Sequence, residues 1–251
     1  MRNAVTRWVF LVVAMQAWAG AAAADLVVSA AASLTNAFTD IGREFERAHP
    51  GTKVAFNFGG SGQLLQQIAR GAPVDVFAAA DQETMDRAQQ QGLLRPGSRA
   101  DFARNVLVLV IPGGESPGIG SLAELTGDRF RRVAIGNPDS VPVGRYSRSV
   151  LMEQGLWEPV KDKVINTQNV RQSLDYVARG EVDAAFVYRT DAALMPEKVK
   201  VALEVPTASP VLYPIAVIQD SSQAAAAAAF VAFVRATAGS QILQKYGFLK
   251  P

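Results

Sequence analysis

The chain has 251 residues, with 25 basic and 23 acidic side chains, one histidine and no cysteine. So even a charge balance leaves no block of basic residues for nucleic acid or an anionic membrane surface. The missing thiol excludes disulfides, thiolate catalysis and cysteine metal sites.

The first element is a leader. Arg2 and Arg7 form a basic start, Trp8 to Met15 an apolar run, and Gly20 to Ala24 a zone of small residues. Residues 1–24 therefore read as a secretory signal peptide cleaved after Ala24. The apolar run is short for a bilayer span and Gln16 interrupts it. No cysteine follows that would carry a lipid. Subtracting the two leader arginines from 25 leaves 23 basic residues against 23 acidic ones, so the net positive charge belongs to the targeting segment.

Beyond the leader, strand-like and helix-like patterns alternate. Strands are expected at 26–30, 53–58, 74–78, 105–111, 133–135, 163–166, 183–188, 198–205 and 211–218. Leu34, Phe38, Ile41 and Phe45 give the first helix its apolar stripe, Leu64, Leu65 and Ile68 the second, and Leu174 and Val177 mark a helix that stops at Gly180. The alanine run 224–229 continues into Phe230 to Val234 and reads as helix. Alternating strands and helices predict an α/β fold with largely parallel sheets. Two long apolar strands, Val106 to Ile111 and Val211 to Ile218, bracket a middle segment with its own alternation. That is compatible with one continuous sheet or with two lobes joined by two crossing strands.

Four helix starts share a chemistry. Ser33 opens the first helix, Gly59-Gly60-Ser61-Gly62 the second, Pro138 to Gly144 leads into a third, and Asn166 to Val170 begins a fourth. Each start carries unpaired backbone N–H groups and the positive end of a helix dipole. Both serines add a hydroxyl at what reads as a cap position, and the glycines let a ligand approach the backbone. Together such starts make an anion site without a charged side chain; singly, each is an ordinary cap. Catalysis is poorly served. Residues 59–63 break the G-x-S-x-G pattern at Gln63, and the single histidine, His49, sits at the exposed end of the first helix. His49 is expected to be dispensable, and the protein is not expected to be an enzyme or to hold a metal ion directly.

The motifs Ala30-Ala31-Ala32-Ser33-Leu34-Thr35-Asn36-Ala37, Gly71-Ala72-Pro73-Val74-Asp75-Val76-Phe77 with Ala80-Asp81, Val141-Pro142-Val143-Gly144 with Tyr146, Asn169-Val170-Arg171, and Val187-Tyr188 with Asp191-Ala192 stand in one order along the chain. In this it resembles the periplasmic molybdate-binding proteins of ABC importers, which are type II periplasmic solute-binding proteins. The resemblance implies a two-lobed periplasmic binding protein fold, each lobe a mainly parallel sheet flanked by helices, with two crossover hinge strands. Residues 25–107 plus 217–251 would form lobe I and 108–216 lobe II. It also implies molybdate or tungstate as bound ligand, no cofactor, and contacts from Ser33, Ser61, Val143, Val170 and Tyr188, with Val143 and Val170 acting through backbone N–H. The implied partner is a membrane permease with its cytoplasmic ATPase, met in the periplasm by a monomer. Alternatives are another oxyanion (sulfate, thiosulfate) or an extracytoplasmic sensing module. Arg145, Arg171 and Arg189 flank these contacts and are expected to face solvent and only steer the anion, not to bind it.

Overall fold

The computed structural model describes residues 25–114 and 118–251. The expected leader lies outside the described residues. The first part of the chain runs β1 (Leu26–Ala31), α1 (Thr35–Ala48), β2 (Val54–Gly59), α2 (Ser61–Ala69), β3 (Val76–Ala78), α3 (Gln82–Gln90) and β4 (Ala100–Asn105). The middle part runs β5 (Leu107–Pro112), β6 (Val133–Gly136), α4 (Pro142–Glu153), α5 (Trp157–Val160), β7 (Val164–Thr167), α6 (Val170–Ala178), β8 (Ala184–Tyr188), α7 (Arg189–Ala192) and β9 (Val199–Val205). The chain then returns through β10 (Val211–Val217), α8 (Ala224–Arg235) and α9 (Thr237–Lys245).

Two five-stranded sheets result, ordered β2-β1-β3-β10-β4 and β7-β6-β8-β5-β9. In each, three strands linked through helices are parallel, as the alternation predicts, and two further strands pair antiparallel. The antiparallel strands are those next to the crossings: β10 enters the first sheet and β4 leaves it, while β5 enters the second and β9 leaves it. Two sheets of identical plan make a two-lobed α/β fold.

The lobe boundaries differ from those read in the sequence. The expected strand 105–111 is two strands in different sheets, exchanging at Val106. The whole of β10 belongs to the first sheet, so the return crossing runs through residues 206–210, not at 216/217. That crossing is Pro206-Thr207-Ala208-Ser209-Pro210, whose two prolines cannot donate to a ladder and so end strand pairing there. β4 was not expected because Asp101 and Arg104 interrupt its apolar alternation.

The stripe predicted for α1 is the one that is buried: Leu34, Phe38 and Ile41 are fully inside and Phe45 nearly so. Phe38 and Phe45 meet the ring of Phe230 from α8 edge-on, at 6.1 and 5.2 Å between centroids. The alanine-rich helix is thereby fastened to the first lobe by its Ala227, Phe230 and Val234 face.

Candidate functional site

All six parallel strands point their carboxyl ends at one place, where open α/β sheets place their ligands. A cavity there is walled by the turn after β1 (Ala31, Ala32, Ser33), the turn after β2 (Gly59, Gly60, Ser61), Ala80 after β3, Val141 to Val143 after β6, Asn169 and Val170 after β7, and Tyr188 at the end of β8. Ser33, Ser61, Val143, Val170 and Tyr188 therefore share one wall, two from the first lobe and three from the second. His49 is elsewhere; it stacks on Phe45 at 4.1 Å, with its Nδ1 3.0 Å from the Phe45 carbonyl. The empty volume is about 210 Å³. Pockets for drug-sized ligands run to roughly 300–1,000 Å³, so this smaller one suits a smaller solute.

The wall carries no Asp, Glu, Lys, Arg or His. What it carries is hydrogen-bond donors, left over by the way each helix begins. Asn169 caps α6 by accepting from Arg171 N (3.0 Å) and Gln172 N (3.1 Å), which leaves the N–H of Val170 at the first helical position. α4 begins with Pro142, which has no N–H, and its N-cap Val141 has no capping side chain. The Val143 N–H thus stands at the open end of that helix. Tyr188 lines the cavity, is 1% exposed, and its hydroxyl has no hydrogen-bond partner among the described residues. Burial raises the phenols of Tyr188 and Tyr213 well above their ordinary pKa, so both keep their protons.

A model of the bacterial extracellular solute-binding protein family matches residues 26–249. The chain belongs to that family. It is 40% identical over 232 residues to the molybdate-binding protein ModA of Mycobacterium tuberculosis, covering 91% of this chain and 86% of the relative. It is 34% identical over 239 residues to ModA of Escherichia coli, covering 92% of each. Among solved structures, the periplasmic molybdate-binding protein of Azotobacter vinelandii aligns with a TM-score of 0.79 at 25% identity, over 90% of this chain and 99% of that one.

Three local expectations for this solute-binding protein are corrected. Ser33 is not a helix cap: it lies inside a 3₁₀ turn, Ala32–Leu34, and its Oγ sits 3.0 Å from the Tyr213 hydroxyl. Ser61 is the first residue of α2 after the N-cap Gly60, and its Oγ accepts from Ala80 N at 3.1 Å. Gly60 and Gly62 also serve a purpose that the sequence reading did not include. A Cβ on Gly60 would meet the Gln168 carbonyl oxygen at 2.7 Å, and one on Gly62 the Ser140 carbonyl oxygen at 2.8 Å. The other lobe's backbone takes that space beside Gly60 and Gly62, Gly59 and Gly60 still line the cavity, and Gly62 N donates to Ser140 O at 2.9 Å.

The arginines are the third correction. Arg189 does reach outward, to the exposed Glu204 at 3.3 Å. Arg145 and Arg171 instead tie the lobes together, because the partner lobe brings acceptors that a single helix's geometry does not reveal. Arg145 donates to Asp81 Oδ2 (2.7 Å) and Thr84 Oγ1 (2.6 Å) of the first lobe. Arg171 spans Asp191 Oδ1 (2.6 Å) in its own lobe, and Asn36 Oδ1 (2.9 Å) and Ser33 O (3.2 Å) in the first. The bonds to the first lobe exist only while the lobes touch. Replacing either arginine by Gln is therefore expected to weaken ligand binding about 10-fold or more, since hydrogen bonds to charged groups contribute about 1.5–3 kcal/mol. Stopped-flow measurement should find the loss in the dissociation rate; a loss confined to association at low salt would return both residues to a steering role.

Asp191 is fully buried, and its Oδ2 has no hydrogen-bond partner among the described residues. Burial pushes its carboxyl up to about 6 from an ordinary 3.8, against the opposing pull of Arg171. Between those pH values the folded state binds more protons than the unfolded one, so stability falls as pH rises through the window. The full cost is about 3 kcal/mol. Asp191→Asn cannot titrate. Urea unfolding from pH 4 to pH 7 should show wild type losing stability relative to this variant by about that amount, and a constant difference would contradict the assignment.

Proposed function

We propose that this exported solute-binding protein captures molybdate in the cleft between its lobes and presents it to the membrane permease of an ABC importer. The observation that carries the reading is the wall itself: Tyr188 offers a buried, partnerless hydroxyl among backbone and serine donors, with no charged group of either sign. Fully deprotonated molybdate only accepts hydrogen bonds, so a site of donors suits it, whereas a protonated phosphate brings a donor of its own that needs an acceptor. Ser33 and Ser61 act from the first lobe. The N–H groups of Val143 and Val170 and the Tyr188 hydroxyl act from the second. Neither lobe holds the whole set, so closure completes it and makes the closed form the one the permease can recognise. Sequence similarity to molybdate-binding relatives supports the same ligand.

The helix starts supply attraction without a counter-ion. Their dipoles place partial positive charge where the anion's oxygens sit, at no cost of burying an unpaired lysine or arginine.

Thermal unfolding of the exported chain with molybdate, tungstate, sulfate, thiosulfate or phosphate tests the reading. A ligand at 100 times its Kd adds about 2.7 kcal/mol, which is about 5–11 °C for a protein of this size. The shift is expected with molybdate and tungstate and not with phosphate. A shift with sulfate or thiosulfate alone would reassign the ligand, and none with any oxyanion would leave the sensing-module reading.

A further inference from the structure

Resting on the oxyanion reading, we infer that Tyr213 and Asn105, which lie behind the cavity wall, are positioning residues that force the Ser33 hydroxyl to act as a donor toward the ligand. A serine hydroxyl can give or accept a hydrogen bond, and rotation about one bond decides which. At Ser33 the surroundings remove that choice.

The direction of the chain of bonds is set at its far end. Asn105 is the last residue of β4, and its Oδ1 accepts from the backbone N–H of Val106 at 2.9 Å. A backbone N–H can only donate, so the other end of the side chain is its NH₂ group. That group donates to Thr190 Oγ1 at 2.8 Å and to the Tyr213 hydroxyl at 3.3 Å, which uses both of its protons. Tyr213 therefore accepts from Asn105 and has one proton of its own to place. Its ring is fully buried, and its remaining hydrogen-bond partner among the described residues is Ser33 Oγ, at 3.0 Å. The phenol proton goes there. Ser33 Oγ is then an acceptor on its protein side, and its own proton is free for the cavity that Ser33 lines.

Ser61 reaches the same state by a shorter route. Its Oγ accepts directly from the backbone N–H of Ala80, again a group that can only donate. The two serines of the first lobe thus present protons to the cavity for the same reason, though one is directed by backbone and the other by a two-residue relay. The consequence is specificity. An anion that carries its own proton meets a Ser33 oxygen already engaged behind the wall, and an anion with only acceptor atoms meets a proton aimed at it.

Two thermodynamic cycles on the full exported chain test the relay, with molybdate and phosphate titrated calorimetrically. Ser33→Ala is expected to cost about 10- to 150-fold in molybdate affinity in the wild-type background. In a Tyr213→Phe background, where the hydroxyl is free to rotate, its cost should be smaller by about twofold or more, within the range seen for contacting residues. Tyr213→Phe should also narrow the preference for molybdate over phosphate. In the second cycle, Asn105→Asp turns the end donor into an acceptor and draws the phenol proton away from Ser33. Its effect on molybdate should shrink by about twofold or more once Ser33 is Ala, whereas plain charge repulsion would persist. Should either buried variant fail to fold, NMR of the wild-type protein decides: a slowly exchanging Tyr213 hydroxyl proton with a cross-peak to the Ser33 side chain is expected. Couplings below about twofold in both cycles, or a phenol proton directed at Asn105, would overturn the relay. Absence of oxyanion binding by the wild type would overturn the functional reading instead, so the two failures are distinguishable.

Discussion

Gly62→Ala should bind molybdate about 5- to 150-fold more weakly while the ligand-free protein stays as stable as wild type or becomes more so. The two halves of that result have separate causes. Gly62 is the second residue of α2, where Ala is a better helix former than Gly by up to about 1 kcal/mol. Within the first lobe the substitution is harmless or helpful. In the closed form, however, the new Cβ would lie 2.8 Å from the Ser140 carbonyl oxygen and 2.9 Å from the Ser140 Cα, both backbone atoms of the facing lobe. Overpacking of that kind costs about 1–3 kcal/mol, and here it falls on the closed form alone. Calorimetric titration together with thermal unfolding reads both effects. Unchanged affinity would mean that the lobes need not meet at Gly62 for binding.

Ser61→Ala and Tyr188→Phe should both weaken binding by about 10- to 150-fold, because each removes a donor to a charged ligand contributing about 1.5–3 kcal/mol. Their effects on the ligand-free protein should differ. Ser61 Oγ is the acceptor for the Ala80 N–H inside the first lobe, so Ser61→Ala leaves that group buried without a partner. A loss of about 1–3 kcal/mol in stability should follow. Tyr188→Phe keeps the ring packed 5.8 Å from that of Tyr213 and removes a hydroxyl that has no partner among the described residues. It should leave stability unchanged or slightly raised. If Tyr188→Phe bound molybdate with wild-type affinity, its hydroxyl would have to be struck from the site.

Much of this architecture was legible in one dimension because it rests on local periodicity. The stripe of Leu34, Phe38, Ile41 and Phe45 becomes the buried face of a helix wherever the helix packs, and small residues before it mark the end of a parallel strand. β4 was not legible, since a strand at the sheet edge tolerates Asp101 and Arg104 on its open side and so loses alternation. Nor was the exchange at Val106 visible, because a run of apolar residues reads the same whether it continues in one sheet or passes into the next. The crossing at 206–210 is marked in the sequence by its two prolines, which lie just before the apolar run of β10.

The site divides in the same way. By itself, the sequence determined which backbone groups lack helical partners: Val143 after Pro142 and Val170 after Asn169. Those facts depend on neighbours within four residues. Only the tertiary structure decided how the groups are used. Ser33 meets Tyr213 across 180 positions of sequence, Arg145 meets Asp81 across 64, and the glycines beside Ser61 face the backbone of Ser140 and Gln168 in the other lobe. A hydroxyl's direction, an arginine's partner and the need for a missing Cβ are set by whatever the fold brings within about 3 Å. Helical periodicity reports which face is buried, and carries no record of what it is buried against.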